Sequence, residues 1–168
     1  MNCPTRHRIS IGDAPPVYMA HRRRSPLEQE RINQAVKDML EKGIIRPSNS
    51  DWVFEPHLVR KDDGSYRFCV DFHPLNKITV HDKYPLPRID DLLDQLGQSR
   101  YFTSLDLASG YWQIPLDDRD AHKTAFRTSQ GLFQFQRMPF GLSDAGSTFQ
   151  RMANSIFKDL IKEKVVLV

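Results

Sequence analysis

Between Tyr101 and Tyr111 the chain reads Tyr-Phe-Thr-Ser-Leu-Asp-Leu-Ala-Ser-Gly-Tyr, and this stretch holds residue types from which a phosphate-handling site can be built. One carboxylate, Asp106, ends an apolar run, and small residues lead from it to an aromatic. A carboxylate so placed can hold a hard divalent cation. Mg²⁺ takes oxygen ligands, keeps several waters, and is commonly met by one or two Asp side chains plus substrate phosphates. Asp is also a frequent capping residue, and on spacing alone Asp106 is more often a cap for the following turn than a metal ligand. Upstream, Arg60, Lys61 and Arg67 gather near one short loop. Arg fits phosphate bidentately and Lys acts as a point charge, so a triphosphate could be gripped there. The same cations fit an ordinary solvated hairpin, and Asp62 and Asp63 dilute their field.

The elements that must position these residues follow from periodicity and punctuation. Residues 1–24 carry Pro15, Pro16 and the run Arg22-Arg23-Arg24 without sustained periodicity, and read as an extended basic arm. Ser25, Pro26 and Glu28 form the opening of a helix with a capping box. Ile32, Ala35, Val36, Met39 and Leu40 share one helical face, and Gly43 stops it, predicting a helix over 26–42. Trp52–Arg60 and Tyr66–Val70 flank Lys-Asp-Asp-Gly-Ser and predict a hairpin. A short helix opening at Pro87, a strand over Arg100–Leu105, and a second hairpin of Thr124–Thr128 and Leu132–Met138 around Gln130-Gly131 come next. A helix capped by Ser143 follows, and the apolar run Val165–Val168 reads as a strand. Helices and hairpins alternate without a β-α-β rhythm, which predicts an α+β fold.

Composition sets the class. With 168 residues, 24 Lys and Arg against 21 Asp and Glu give a formal charge of +3, which permits a nucleic-acid partner without requiring one. The length fits one compact unit, and 39% hydrophobic with 27% charged residues argues against a disordered or fibrous chain. Two cysteines, Cys3 and Cys69, build no disulfide framework, and no zinc-ligand spacing is present. No apolar run approaches the ~20 residues of a membrane span, so an intracellular protein without a membrane partner is expected.

Five further stretches keep a fixed order: Arg60–Lys77 (Arg-Lys-Asp-Asp-Gly-Ser-Tyr-Arg-Phe-Cys-Val-Asp-Phe-His-Pro-Leu-Asn-Lys), Tyr84–Leu93, Ser104–Ile114 with Ser-Leu-Asp-Leu-Ala-Ser-Gly-Tyr-Trp, Lys123–Thr128, and Met138–Leu142 with Thr148–Arg151. Together they resemble the reverse transcriptase (RNA-directed DNA polymerase) of gypsy-type LTR retrotransposon Pol polyproteins, and Met39–Ser48 matches the segment that precedes the fingers there. The resemblance implies a right-hand polymerase: fingers about 25–82 and 115–138, a partial palm about 83–114 and 139–168, thumb absent. It implies addition of deoxynucleotides to a primer 3′-OH on an RNA or DNA template, with two Mg²⁺ ions in the complete domain. Residue by residue, Asp106 matches the first catalytic, metal-binding aspartate. Lys61 and Arg67 match residues that contact the incoming triphosphate. Ser109 and Gly110 match positions whose backbone N–H groups face the phosphates, and Tyr111 matches the steric gate that rejects a 2′-hydroxyl. Phe140 matches a position beside the nascent base pair, although a core aromatic next to a turn is the plainer reading of that residue.

Departures from the pattern bear on activity. The family's next motif, Tyr-x-Asp-Asp, is not among these residues, and the chain reaches Val168 on an apolar run of the kind that precedes it. Two-metal phosphoryl transfer needs cations about 3.5 to 4 Å apart, which one carboxylate cannot hold. Asp117, Asp118 and Asp120 lie beyond Pro115 in the following turn and cannot substitute. The 168 residues by themselves are therefore expected to be inactive, a remnant that at most binds nucleic acid or nucleotide, unless the frame continues into the rest of the Pol polyprotein. Smaller departures are Asp51, Glu55, Asp62, His73 and the run Asp-Ala-Gly-Ser-Thr from Asp144.

Overall fold

The computed structural model describes residues 3, 5–97, 100–104 and 106–162. Helix α1 (Pro26–Glu41) begins where the sequence places it: the Ser25 hydroxyl accepts the Glu28 N–H at 3.2 Å, and Pro26 takes the first turn, where its missing N–H costs nothing. Ile32, Val36 and Met39 bury its inner face, and Gly43, at φ 63°, turns the chain out of the helix. Strand β1 (Ile45–Pro47) follows. The first hairpin consists of β2 (Pro56–Arg60) and β3 (Tyr66–Val70).

The first strand of that hairpin is shorter than its apolar pattern predicts. Residues 52–55 are diverted to other partners: Val53 N–H donates to the Val17 carbonyl at 2.9 Å, and Phe54 N–H to the Ala125 carbonyl at 2.9 Å. Next come α2 (His73–Ile78), which the sequence reading did not anticipate, and α3 (Ile89–Leu96), which starts two residues after Pro87. The strand expected over Arg100–Leu105 is absent at 100–104, and Leu105 lies outside the described residues. No partner strand is present among the described residues, and Tyr101 and Phe102 stand 94% and 64% exposed, so this backbone gains nothing from a ladder.

The second hairpin pairs β4 (Phe126–Thr128) with β5 (Gly131–Phe135), and β5 also pairs with β1, giving an antiparallel order β1-β5-β4. Both strands are shorter than expected, because residues 121–124 form a 3₁₀ turn. There the Thr124 hydroxyl accepts Phe135 N–H at 3.0 Å. Helix α4 (Ala145–Ile156) has Asp144 rather than Ser143 at its N-cap position, and the short α5 (Lys158–Lys162) follows. The Asp144 carboxylate makes no cap bond; it accepts from Asp82 N–H at 3.0 Å and meets His81 instead. The expected strand Val165–Val168 lies outside the described residues.

The core lies between the three-stranded sheet, α1 and the root of the first hairpin, where Phe54–Phe72 and Phe126–Phe135 pairs meet at 5.3 Å between ring centroids. Such pairs add about 0.5–1.5 kcal/mol each beyond their burial. Across this core lies the N-terminal arm. His7 N–H donates to Pro115 and its carbonyl accepts from Asp117, both at 2.9 Å, while Met19 N–H donates to Val53 at 2.8 Å. Ile9 enters the core. The result is a mixed helix-and-sheet fold, as the alternation of helices and hairpins predicts, and among the described residues no helix is long and apolar enough to cross a membrane.

Candidate functional site

Five rungs, from Pro56 opposite Val70 to Arg60 opposite Tyr66, carry the first hairpin to its tip. There Lys61 N–H donates to the Ser65 carbonyl at 2.8 Å and Gly64 N–H to the Lys61 carbonyl at 3.0 Å, with Gly64 at φ 80°, a conformation that suits glycine. Lys61 is exposed. Hydrogen bonds from the Ser65 hydroxyl and N–H hold the Asp63 carboxyl below its ordinary range, so the tip carries a fixed negative charge among its cations. Phe68 packs on Phe126 at 5.4 Å and anchors the hairpin to the core. Arg67, one residue away, points to the opposite face, where its guanidinium stands 5.9 Å from the Phe140 ring centroid. Burial pushes the Cys69 thiol up, which makes it a poor nucleophile.

Phe140, 41% exposed, sits on a turn that α2 fixes. The Asn76 amide donates to the Gly141 carbonyl at 2.7 Å and accepts Ser143 N–H at 3.0 Å, while Gly141 takes φ 93°. Sequence reasoning missed Asn76, because its bond joins residues 65 apart. Tyr111 lies against Phe140 at 5.1 Å and against Phe149 of α4 at 5.6 Å, with Trp112 at 6.4 Å from Phe140. Tyr111 is carried by a 3₁₀ turn, Gly110–Gln113, entered through Ser109 at φ 51°, the one non-glycine with positive φ among the described residues. At Gly110 a Cβ would lie 2.9 Å from Phe149 Cε2, so the close packing of this turn on α4 requires a residue without a side chain.

The structure thus brings Arg67, Phe140 and Tyr111 into one cluster, with Gly110 packed beneath on Phe149. Of the two backbone N–H groups singled out in the sequence, that of Gly110 donates to the Leu107 carbonyl at 3.1 Å, and that of Ser109 has no partner among the described residues. No hydrogen bond, ion pair or ring contact joins Lys61 or Asp106 to the cluster among the described residues. Asp106 is exposed on irregular chain and caps nothing there. Its carboxylate has the hard-oxygen chemistry Mg²⁺ takes, and as a single group it fits one place in a shell that water and phosphate would complete. Among the described residues no three His, Cys, Asp or Glu side chains gather to hold a metal. Asp117 and Asp120 are taken up elsewhere: Asp117 by Arg119 at 2.8 Å, Asp120 by Lys123 at 2.7 Å and Ile9 N–H at 3.0 Å.

Glu55, one of the departures noted in the sequence, is 2% exposed and held by three basic side chains. Arg24 bonds one carboxylate oxygen; Arg127 bonds the other at 3.0 Å, and His21 approaches that second oxygen at 3.4 Å. Burial would raise the Glu55 pKa, but the Arg127 hydrogen bond and the Arg24 charge outweigh it and hold the group below its ordinary value. Arg127 also bonds the Tyr18 hydroxyl at 2.8 Å and the Met19 carbonyl at 3.0 Å, clasping the arm to β4.

The family described as Reverse transcriptase (RNA-dependent DNA polymerase) matches residues 59–168. Over 163 residues the chain is 37% identical to the retrovirus-related Pol polyprotein from transposon 297 of Drosophila melanogaster, covering 94% of this chain and 15% of that polyprotein. The RNA-directed DNA polymerase homolog of Oenothera berteroana is 45% identical over 103 residues, 61% of this chain and 72% of that protein. The native prototype foamy virus protease-reverse transcriptase superposes with a TM-score of 0.81 at 26% identity, over 92% of this chain and 21% of that one. The chain spans a small part of the polyproteins it matches. With its ordered motifs, its fold and these relatives in agreement, it belongs to the reverse transcriptase (RNA-dependent DNA polymerase) family, as a reverse transcriptase domain of the retrotransposon Pol type.

Proposed function

We propose that this chain forms the fingers and the first part of the palm of a polymerase that adds deoxynucleotides to a primer 3′-OH on an RNA or DNA template. Residues 1–24 are its basic arm, about 25–82 and 115–138 its fingers, and about 83–114 and 139–168 its palm. The observation that carries the reading is the Arg67–Phe140–Tyr111 cluster, which joins a guanidinium on the first hairpin to two aromatics from distant parts of the chain. In this reading Lys61 and Arg67 grip the triphosphate, Ser109 and Gly110 bring backbone close to it, Tyr111 lies under the sugar and excludes a 2′-hydroxyl by bulk, and Phe140 lies beside the base pair.

Reverse transcriptases use divalent metal ions. Asp106 would hold Mg²⁺, which when bound neutralises charge on the transferred phosphates. The single carboxylate favours a second reading for the 168 residues by themselves: nucleotide and nucleic-acid binding without extension. The remaining partner is then the rest of a Pol polyprotein.

Titration of a deoxynucleoside triphosphate with Mg²⁺ against the chain tests the site. Binding should weaken about tenfold in Lys61→Ala and Arg67→Ala, consistent with loss of one charge-assisted contact. Tyr111→Ala should narrow the preference for deoxy over ribo substrates, and Tyr111→Phe should keep it. Absence of triphosphate binding, or binding indifferent to all three positions, refutes the assignment.

A further inference from the structure

Tyr66 and Arg67 are neighbours on β3 and point to opposite faces of the hairpin. Arg67 faces Phe140; on the other side the Arg31 guanidinium, from α1, stands 4.0 Å from the Tyr66 ring centroid. Tyr66 pairs with Arg60 in the last rung before the turn that carries Lys61. The inner part of the hairpin is fixed by Phe68 on Phe126, so the Arg31–Tyr66 stack acts at the outer end of the ladder. Arg31 comes from a rigid support: its neighbour Ile32 is fully buried, and the helix is seated by Val36 and Met39.

We infer that Arg31 is a positioning residue: by pinning Tyr66 to α1 it sets the angle of the hairpin tip, and with it the placement of Lys61 and the gap between Arg67 and Phe140. Its meaning for catalysis rests on the triphosphate-binding role proposed for that tip. The chemistry asks for a flat, weakly hydrated cation on one side and a ring on the other. Arg31→Gln and Tyr66→Leu should therefore release the tip. Tyr66→Phe should retain it, and Arg31→Lys should fall between.

Amide hydrogen exchange reads the tip directly, at Lys61 and Gly64, whose N–H groups are bonded within the turn. Exchange there should quicken about two- to fivefold in Arg31→Gln and Tyr66→Leu, the size of a half-exposed cation–π contact, with β4–β5 and the melting midpoint unmoved. Triphosphate affinity should fall measurably, by up to the same factor. Unchanged tip exchange in Arg31→Gln overturns the inference, as does a uniform rise across the chain with a matching loss of stability. Faster tip exchange without any change in a measurable triphosphate affinity overturns its link to binding. Should wild type bind no triphosphate, the proposed function fails and the exchange data still decide the placement of the tip.

Discussion

Protonating His7 should unfasten the arm. The residue is 1% exposed; its backbone is bonded to Pro115 and Asp117, and its ring Nδ1 lies 2.8 Å from the Thr148 hydroxyl. Burial lowers its pKa from 6.5 to about 4, against the opposing attraction of Asp144, Asp120 and Asp82. Because the folded value is the lower one, the unfolded chain takes up the proton first. The stabilisation is therefore complete above pH 6.5, declines as pH falls towards about 4, and levels below. At ~1.36 kcal/mol per pH unit the whole window is worth about 3 kcal/mol, of which about 2 kcal/mol is lost between pH 7.5 and pH 5. Urea unfolding across this range, in wild type and in His7→Asn, isolates the effect, since the amide keeps a partner for Thr148 and does not titrate. Parallel pH profiles for the two proteins would refute the reasoning.

Glu55→Ala leaves Arg24 and Arg127 facing each other without their shared carboxylate, and should cost about 3–5 kcal/mol in urea unfolding. Gly110→Ala drives a methyl into the Phe149 ring and should destabilise by about 1–3 kcal/mol, with the Tyr111 environment altered in near-ultraviolet circular dichroism. Primer–template binding should be weak, indifferent to sequence and steeply reduced by salt, because exposed Arg22, Arg23 and Lys61 meet phosphates; a flat salt profile in a filter assay contradicts this. With Asp106 as its one assigned carboxylate, the chain should extend no primer with Mg²⁺ or Mn²⁺, and extension abolished by Asp106→Asn would overturn that expectation.

Local signals were readable and distant ones were not. Helix α1 was legible because Ser25, Pro26, Glu28 and the Ile32–Val36–Met39 stripe all lie within one window, and the first hairpin because Asp63-Gly64 demands a turn. Residues 52–55 and 100–104 share the same apolar character, yet the former are captured by the arm and β4 and the latter find no ladder partner among the described residues. Pattern carries no information about who the neighbour is. At the candidate site, Arg67 stood out by its place among the hairpin cations, Tyr111 and Phe140 took their roles from the resemblance, and Asn76 and Arg31 went unnoticed while Glu55 was noted without its partners. The side chain of each of those three acts on partners at least 31 positions away.

The arm sets the order of events during synthesis. His7 is made well before its partners Pro115, Asp117 and Thr148, the last 141 positions downstream. At about 5–20 residues per second the stretch around His7 waits on the order of ten seconds for Thr148, with Ile9 uncovered meanwhile. Closing so long a loop is slow and comes last, after the hairpins and helices it spans have formed. The stretch around His7 is thus made before its partners and placed after them, and a nascent chain halted before residue 148 leaves it open to chaperones and proteases.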